Sequence, residues 1–406
     1  KVLVLGATGI PPCSPSSAGP ASIRPTWSKD RLPAMASTFV PPDRLLLGPG
    51  PCNTPQEVLE ALSRPTIGHL DPAFLELMNQ VRDRMRTLFG TGNSMTIPIS
   101  ATGSGGMQAV LANLIEPGDR VLVGVHGVFG KRFADCARRL GAEVVEVEST
   151  WGGSLDLAAL SAAAQGEFRI VGAVHAETST GVLLSAATIA GLRELADRTG
   201  ALLVLDTVTS LAGLPVELDA RGVDATWSGT QKCLACPPGL SPISLSDRAA
   251  QRIEDRRTPV PSWYFDLTAI GKYWGAERAY HHTAPINMIY GIHEAMGLAL
   301  REGLDERFDR HAAAARHLWQ GLESRGFELL VDENERLSPL TSVRIPDGVD
   351  DAAFRRDLLE HEHIEIGGGL GPLAGQIWRI GLMGENATTA TADRFLSALD
   401  RLAVRG

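Results

Sequence analysis

Apolar residues along this chain fall into two alternating rhythms. Short runs that are apolar on both faces read as buried strands. They are Met95–Ser100, Arg120–Val125, Glu143–Val147, Phe168–Val174 and Ala201–Leu205, with shorter pieces at Ala225–Trp227 and Pro242–Leu245. Between them lie stretches with helical spacing. Phe74, Leu77, Met78, Val81, Met85 and Leu88 mark one face of a helix over 73–89. Further helices are expected over 105–115, 129–140, 156–164 and 189–198, the second closing on Gly141 and the fourth on Gly200. Strands and helices in strict alternation predict an α/β fold with a mostly parallel sheet covered on both sides.

The rhythm changes after Trp274. Two long helices are expected over 286–301 and 307–324. Strands near 327–331, 340–345 and 376–381 and helices near 350–361 and 388–403 follow. This pattern predicts a smaller α+β C-terminal domain, with a large domain over 41–302 and the small one over 303–406.

Residues 1–40 stand apart as an extension. The first 34 carry six prolines and no amphipathic pattern, a composition that buries little apolar surface, and are expected to be disordered. The opening Lys1–Ile10 resembles the first strand and turn of a dinucleotide-binding fold, but Pro11-Pro12 follows where that motif needs a helix. Met35 offers an alternative start, and a transit segment is the other reading of 1–34.

Composition narrows the class. The 406 residues are 44 % hydrophobic and 21 % charged, ordinary for a globular protein, and the net charge is −9. An acidic chain does not offer the basic face that nucleic acid requires. The longest charge-free run, 87 to 115 apart from its flanks, is broken by Pro98, Gly103, Gly105 and Gly106, so no membrane helix is expected there. Five cysteines in a long chain suggest a reducing compartment, and a cytoplasmic location is expected unless 1–34 directs the chain to an organelle. Cys233-x-x-Cys236 lacks the second pair that a zinc site would need, and His281-His282 lacks further ligands; no metal is expected.

Ligands in open parallel sheets bind at the carboxyl ends of the strands. Four features fall at such ends. Ala101-Thr-Gly-Ser-Gly-Gly106 joins a strand to a helix N-terminus and suits a phosphate. Asp206 ends a wholly apolar strand, where a carboxylate needs a cationic partner such as a protonated ring nitrogen. Lys232 is the only charged residue between Asp224 and Asp247, and a lysine in such a neutral stretch is a candidate Schiff-base nucleophile. His175-Ala-Glu-Thr-Ser-Thr-Gly181 clusters hydroxyls and a carboxylate, as a polar ligand rim would. Each alone also fits a turn, a cap or a solvated side chain. Together, an anion cradle, a strand-end acid and an isolated amine describe a site for pyridoxal 5′-phosphate (PLP).

These residues carry a family resemblance. From about Asp43 onward the chain resembles a class V aminotransferase of PLP fold type I, and is most similar to the alanine–glyoxylate and serine–pyruvate group. The matching stretches are Leu47-Gly-Pro-Gly-Pro51, Ser104-Gly-Gly106, Glu116-Pro-Gly-Asp119, Glu177-Thr-Ser-Thr-Gly181, Asp206, Ser228-Gly-Thr-Gln-Lys232, Tyr280-His-His-Thr283, Ile366–Pro372 and Trp378-Arg-Ile-Gly-Leu-Met-Gly384. The resemblance implies that Lys232 bonds the cofactor aldehyde and later moves the substrate Cα proton. It implies that Asp206 holds the ring nitrogen, that Ser104, Gly105 and Gly106 bind the phosphate with help from Gln231, and that Thr178 bonds the ring hydroxyl. Phe129 stands where the family stacks an aromatic ring, usually Trp. Tyr280 and Thr283 would reach the phosphate of a neighbouring subunit, making the active unit a homodimer. Arg379 would clamp the substrate carboxylate, and Gly50 would lie beside the substrate.

The reaction so implied is transfer of an amino group from a small amino acid, alanine or serine, to glyoxylate or pyruvate. A ureidoglycine–glyoxylate aminotransferase is the alternative, since Gly68–Ala73, Gln231–Leu234 and Trp378–Gly381 resemble that branch too. A cysteine desulfurase fits less well, because Gln231 and not His precedes Lys232. A dinucleotide-dependent oxidoreductase and a non-catalytic relict of the fold are the readings from other classes.

Overall fold

The computed structural model describes residues 38–404. The expectations for residues 1–37, including the dinucleotide-like opening and the alternative start, lie outside the described residues. From Arg44 on, the chain forms one compact unit.

The elements run as follows. β1 (Leu45–Leu47), α1 (Gln56–Leu62), α2 (Pro72–Phe89), β2 (Met95–Ile99), α3 (Gly103–Leu114), β3 (Arg120–Val125), α4 (Val128–Arg139) and β4 (Glu143–Glu148) come first. α5 (Leu157–Ala163), β5 (Ile170–Val174), β6 (Ala176–Glu177), β7 (Val182–Leu183), α6 (Ala186–Thr199), β8 (Leu202–Asp206), β9 (Ala225–Trp227) and β10 (Ser241–Leu245) follow. The remainder is α7 (Asp247–Glu254), α8 (Leu267–Trp274), α9 (Ile286–Glu302), α10 (Leu304–Glu323), β11 (Leu340–Arg344), α11 (Asp351–His361), β12 (Ile364–Gly368), β13 (Ile377–Gly381) and α12 (Thr389–Arg401).

Seven strands form the main sheet in the order β2-β10-β9-β8-β5-β3-β4. All run parallel except β10, which pairs antiparallel with both β9 and β2. β5 and β8 lie centrally, and every residue of both is buried, which is why their sequences are apolar without alternation. α2 begins on its own cap, the Asp71 carboxylate accepting from the Ala73 N–H, with Pro72 in the first turn where a missing N–H costs nothing. Its buried face is Phe74, Met78, Val81, Met85, Leu88 and Phe89, while Leu77, expected on the same face, is half-buried.

The second sheet is four-stranded, in the order β1-β12-β13-β11. It differs from the expected layout in three ways. β1 joins it by pairing parallel with β12, and Leu47 belongs to the core that Leu318, Phe354, Trp378 and Phe395 build. Residues 45–47 therefore pack with the C-terminal part, against the expected large domain of 41–302. β12 was not expected, because Glu365 and two glycines blur its alternation. The strand expected at 327–331 is reduced to an isolated bridge between Leu329 and Val343.

Candidate active site

The carboxyl ends of β2, β3, β5, β8 and β9 converge on one cavity of about 190 Å³. Thr102, Gly103, Ser104 and Met107 line it from the start of α3, and Phe129 and Arg132 from α4. Ala176 and Thr178 come from the β6 segment, Asp206 from β8, and Trp227, Gln231 and Lys232 from β9 and the loop behind it. The residues that sequence alone scattered over 130 positions thus share one wall.

Lys232 is 8 % exposed. Burial lowers its amine to about 8, with Arg379 adding to the effect. Its Nζ donates to the Pro49 carbonyl oxygen. Gly50 lies directly against it: a Cβ there would be 2.6 Å from Lys232 Cδ and 2.9 Å from Nζ.

Asp206 is buried, and burial pushes its carboxyl up to about 7. Oδ1 accepts the Val208 N–H at 2.8 Å. Among the described residues no Lys, Arg or His makes an ion pair with it, although Lys232 lowers its pKa by charge. An acid in that state is completed by a cation, since pairing would restore the carboxylate.

α3 begins at Gly103, two residues before the expected start, with Thr102 at its N-cap. The N–H groups of Gly105 and Gly106 both reach Thr102 O, at 2.8 and 3.1 Å. Gly106 packs towards Ser241 of β10 and Gly105 towards Ala101 and Phe265. Of the three residues expected to bind phosphate, only Ser104 lines the cavity; Gly105 and Gly106 build the helix start and its packing. Thr102, Gly103 and Ser104 line the cavity at the N-terminal, positive end of α3, a position that suits an anion.

Thr178 lines the cavity, and its carbonyl oxygen accepts from Arg379 Nη1 at 3.1 Å. Arg379 is 5 % exposed, and its Nε donates to Gly368 O at 2.7 Å. Burial lowers its guanidinium to about 10, and no carboxylate pairs with it among the described residues. Strand alternation left its direction open; the fold turns it inward.

Tyr280 and Thr283 are not brought to this cavity. Both are exposed, Tyr280 at 59 %, and their hydroxyls lie 3.3 Å apart. Sequence reasoning missed Arg132, whose guanidinium sits 4.9 Å over the Phe129 ring. Its spacing of three from Phe129 on one helix face was the available signal. It also missed Met107, Val208 and Trp227, which read as ordinary core.

Among the described residues no group of three or more His, Cys, Asp or Glu could hold a metal ion, and no helix is long and apolar enough to cross a membrane. Cys233 and Cys236 are buried free thiols. PLP fits the residues present on three counts. Asp206 is a buried acid that makes no ion pair among the described residues, Gln231 Oε1 is buried without a hydrogen-bond partner, and the N-terminus of α3 with the Ser104 hydroxyl lines the same space as the Lys232 amine, which burial keeps partly neutral.

Known proteins give the same answer. Residues 44–377 match the family described as aminotransferase class-V. The alanine–glyoxylate aminotransferase of Drosophila melanogaster is 40 % identical over 364 residues, covering 88 % of this chain and 92 % of that protein. The (S)-ureidoglycine–glyoxylate transaminase of Bacillus subtilis is 36 % identical, covering 90 % and 91 %. The crystal structure of alanine–glyoxylate aminotransferase from Nostoc sp. superposes with a TM-score of 0.88 at 46 % identity, covering 91 % of this chain and 97 % of that one. The chain belongs to the class V aminotransferases, whose cofactor is PLP.

Proposed function

We propose that this protein transfers an amino group from a small amino acid, alanine or serine, to glyoxylate or pyruvate. The observation that carries the reading is the buried Lys232 amine sharing a cavity with the buried, unpaired Asp206. The names of the relatives in Drosophila and Nostoc support alanine as donor and glyoxylate as acceptor.

When bound, PLP supplies an aldehyde for amines and a ring that takes up the electrons released at Cα. Lys232 is the group that accepts the Cα proton and returns it. With a pKa of about 8, roughly a tenth of it is neutral at pH 7, against roughly one part in several thousand for an ordinary lysine. Asp206 holds the ring-nitrogen proton. Gly103 and Ser104 bind the phosphate through N–H and hydroxyl, and Gln231 turns its amide toward it. Thr178 bonds the ring hydroxyl, and Phe129 covers the ring face. Arg379 receives the substrate carboxylate with two parallel hydrogen bonds, a geometry lysine cannot supply.

A homodimer belongs to the same proposal. Tyr280 and Thr283 stand exposed and away from their own cavity, as residues serving a neighbouring subunit would. A cytoplasmic location also belongs to it, supported by the free thiols of Cys52, Cys136, Cys233 and Cys236; sedimentation and cell fractionation test these two points.

The second reading is ureidoglycine as amino donor, favoured by the Bacillus subtilis relative. One experiment separates them. Protein loaded with PLP is mixed singly with L-alanine, L-serine and (S)-ureidoglycine, and the visible band of the lysine-bound cofactor is followed. Loss of the band with alanine or serine, and oxo-acid release, is expected. A band that every donor leaves intact would rule out transamination.

A further inference from the structure

The first turn of α4 lacks a cap of its own. Its N-cap is Gly127, which has no side chain to offer, yet the turn is buried or half-buried and carries Phe129. Free N–H groups there would cost stability. They are satisfied from another segment. Ser179 Oγ accepts the Val128 N–H at 2.8 Å, and Glu177 Oε2 accepts those of Phe129 and Gly130 at 3.1 and 3.2 Å. The other oxygen, Oε1, accepts from Ser179 N at 3.0 Å and Ser179 Oγ at 2.6 Å.

The fit is close. A Cβ on Gly127 would come within 2.4 Å of Glu177 Cγ and Cδ, so only glycine leaves room for the carboxylate. Glu177 is fully buried and does not line the cavity. The expectation that its cluster forms a polar ligand rim therefore holds for Thr178 alone. Thr178, between the two capping residues, lines the cavity and gives its carbonyl to Arg379. One three-residue segment thus touches the helix that carries Phe129, the cavity itself and the guanidinium.

We infer that Glu177 is a positioning residue: it fixes Phe129 over the cofactor plane and, through its segment, fixes the relation of Phe129 to Arg379. The inference rests on the functional reading above. A carboxylate suits the task because both oxygens accept, and its charge complements the N-terminus of α4. Glutamine has the same shape but one accepting oxygen. Its NH₂ must face either Ser179 or the α4 amides, donor against donor.

The test compares Glu177→Gln, Ser179→Ala and Phe129→Ala with the parent chain. Amide hydrogen exchange over 128–130 is read in the apoprotein, and PLP affinity, the visible circular dichroism of the bound cofactor, kcat and KM in the holoenzyme. E177Q is expected to exchange at least about tenfold faster there, to bind PLP roughly tenfold more weakly and to lose roughly 10- to 100-fold in kcat. Added to F129A, E177Q should weaken PLP little further, because it acts through Phe129. A folded E177Q with parental exchange, affinity and kcat overturns the inference, as does full additivity with F129A. Should E177Q not fold, S179A carries the test: it removes the Val128 acceptor and one Glu177 donor, and parental values in it overturn the inference equally. A parent chain that binds no PLP defeats the functional reading instead, and the exchange arm stays readable.

Discussion

Gly50 faces the outer end of the Lys232 side chain, where a Cβ would stand 2.6 to 2.9 Å from Cδ, Cε and Nζ, and it holds a φ of +100°. Alanine there is strained in the backbone and collides with Cδ, Cε and Nζ at once. Gly50→Ala is expected to destabilise by about 1–3 kcal/mol and to displace the amine. Thermal unfolding and the visible cofactor spectrum check this. Parental kcat in the variant would show that the amine does not depend on the contact.

Lys232→Ala should leave a folded protein, since the site is a cavity wall and not a strand. Its kcat should fall by roughly 10²–10⁴-fold or more, the usual worth of a positioned acid–base group. Adding methylamine should restore part of the rate, because what is missing is an amine. No rescue together with a parental rate would remove Lys232 from the chemistry.

Asp206→Asn is expected to have opposite effects with and without the cofactor. In the apoprotein the carboxyl is raised to about 7 from its ordinary value near 3.8. Its favourable contribution is complete below that ordinary value and is lost as pH rises through 7. Ionised and unpaired at pH 8, it costs up to about 4 kcal/mol. The amide avoids that cost, so apo D206N should melt higher than the parent at pH 8 and not at pH 4. It should also bind PLP more weakly and turn over far more slowly. Melting curves at the two pH values and PLP titrations decide it.

Arg379→Lys keeps the charge and loses the paired hydrogen bonds. The expected loss in kcat/KM for alanine is roughly 10- to 100-fold, matching about 1.5–3 kcal/mol for charge-assisted bonding. Most of it should appear in KM. A loss confined to kcat would place the guanidinium elsewhere than on the substrate carboxylate.

His126, His175 and His311 are buried, and burial lowers their rings to about 4, 3 and 3. Unfolding lets each return to its ordinary value near 6.5 and take up a proton. Stability is therefore complete above 6.5 and falls as pH drops toward 3. His311 accepts the Gly384 N–H on Nε2, a bond its protonation would end. His311→Gln should flatten the acid limb of a stability profile taken by denaturant titration between pH 7 and 4.

Much of the architecture was legible because burial on both faces leaves a strand no polar positions, as in Leu202–Asp206, and because α2 shows one clean apolar face. The elements that escaped are short or blurred. β1 has three residues and belongs to a sheet whose other strands come over 290 positions later. No local pattern announces such a pairing, since its stabilisation comes from distant residues.

Which residue types could hold PLP was decided by the sequence, through chemistry that needs an acid, an amine and a helix start. Where they point was decided by the tertiary structure. Side-chain direction on a strand alternates, so Arg379 could have faced either way until β13 was placed between β11 and β12. That Thr102, Gly103 and Ser104 line the cavity, while the N–H groups of Gly105 and Gly106 turn back to Thr102 O, follows from where α3 begins. The Glu177 cap on α4 joins residues 48 positions apart, and only packing brings such partners within hydrogen-bond reach.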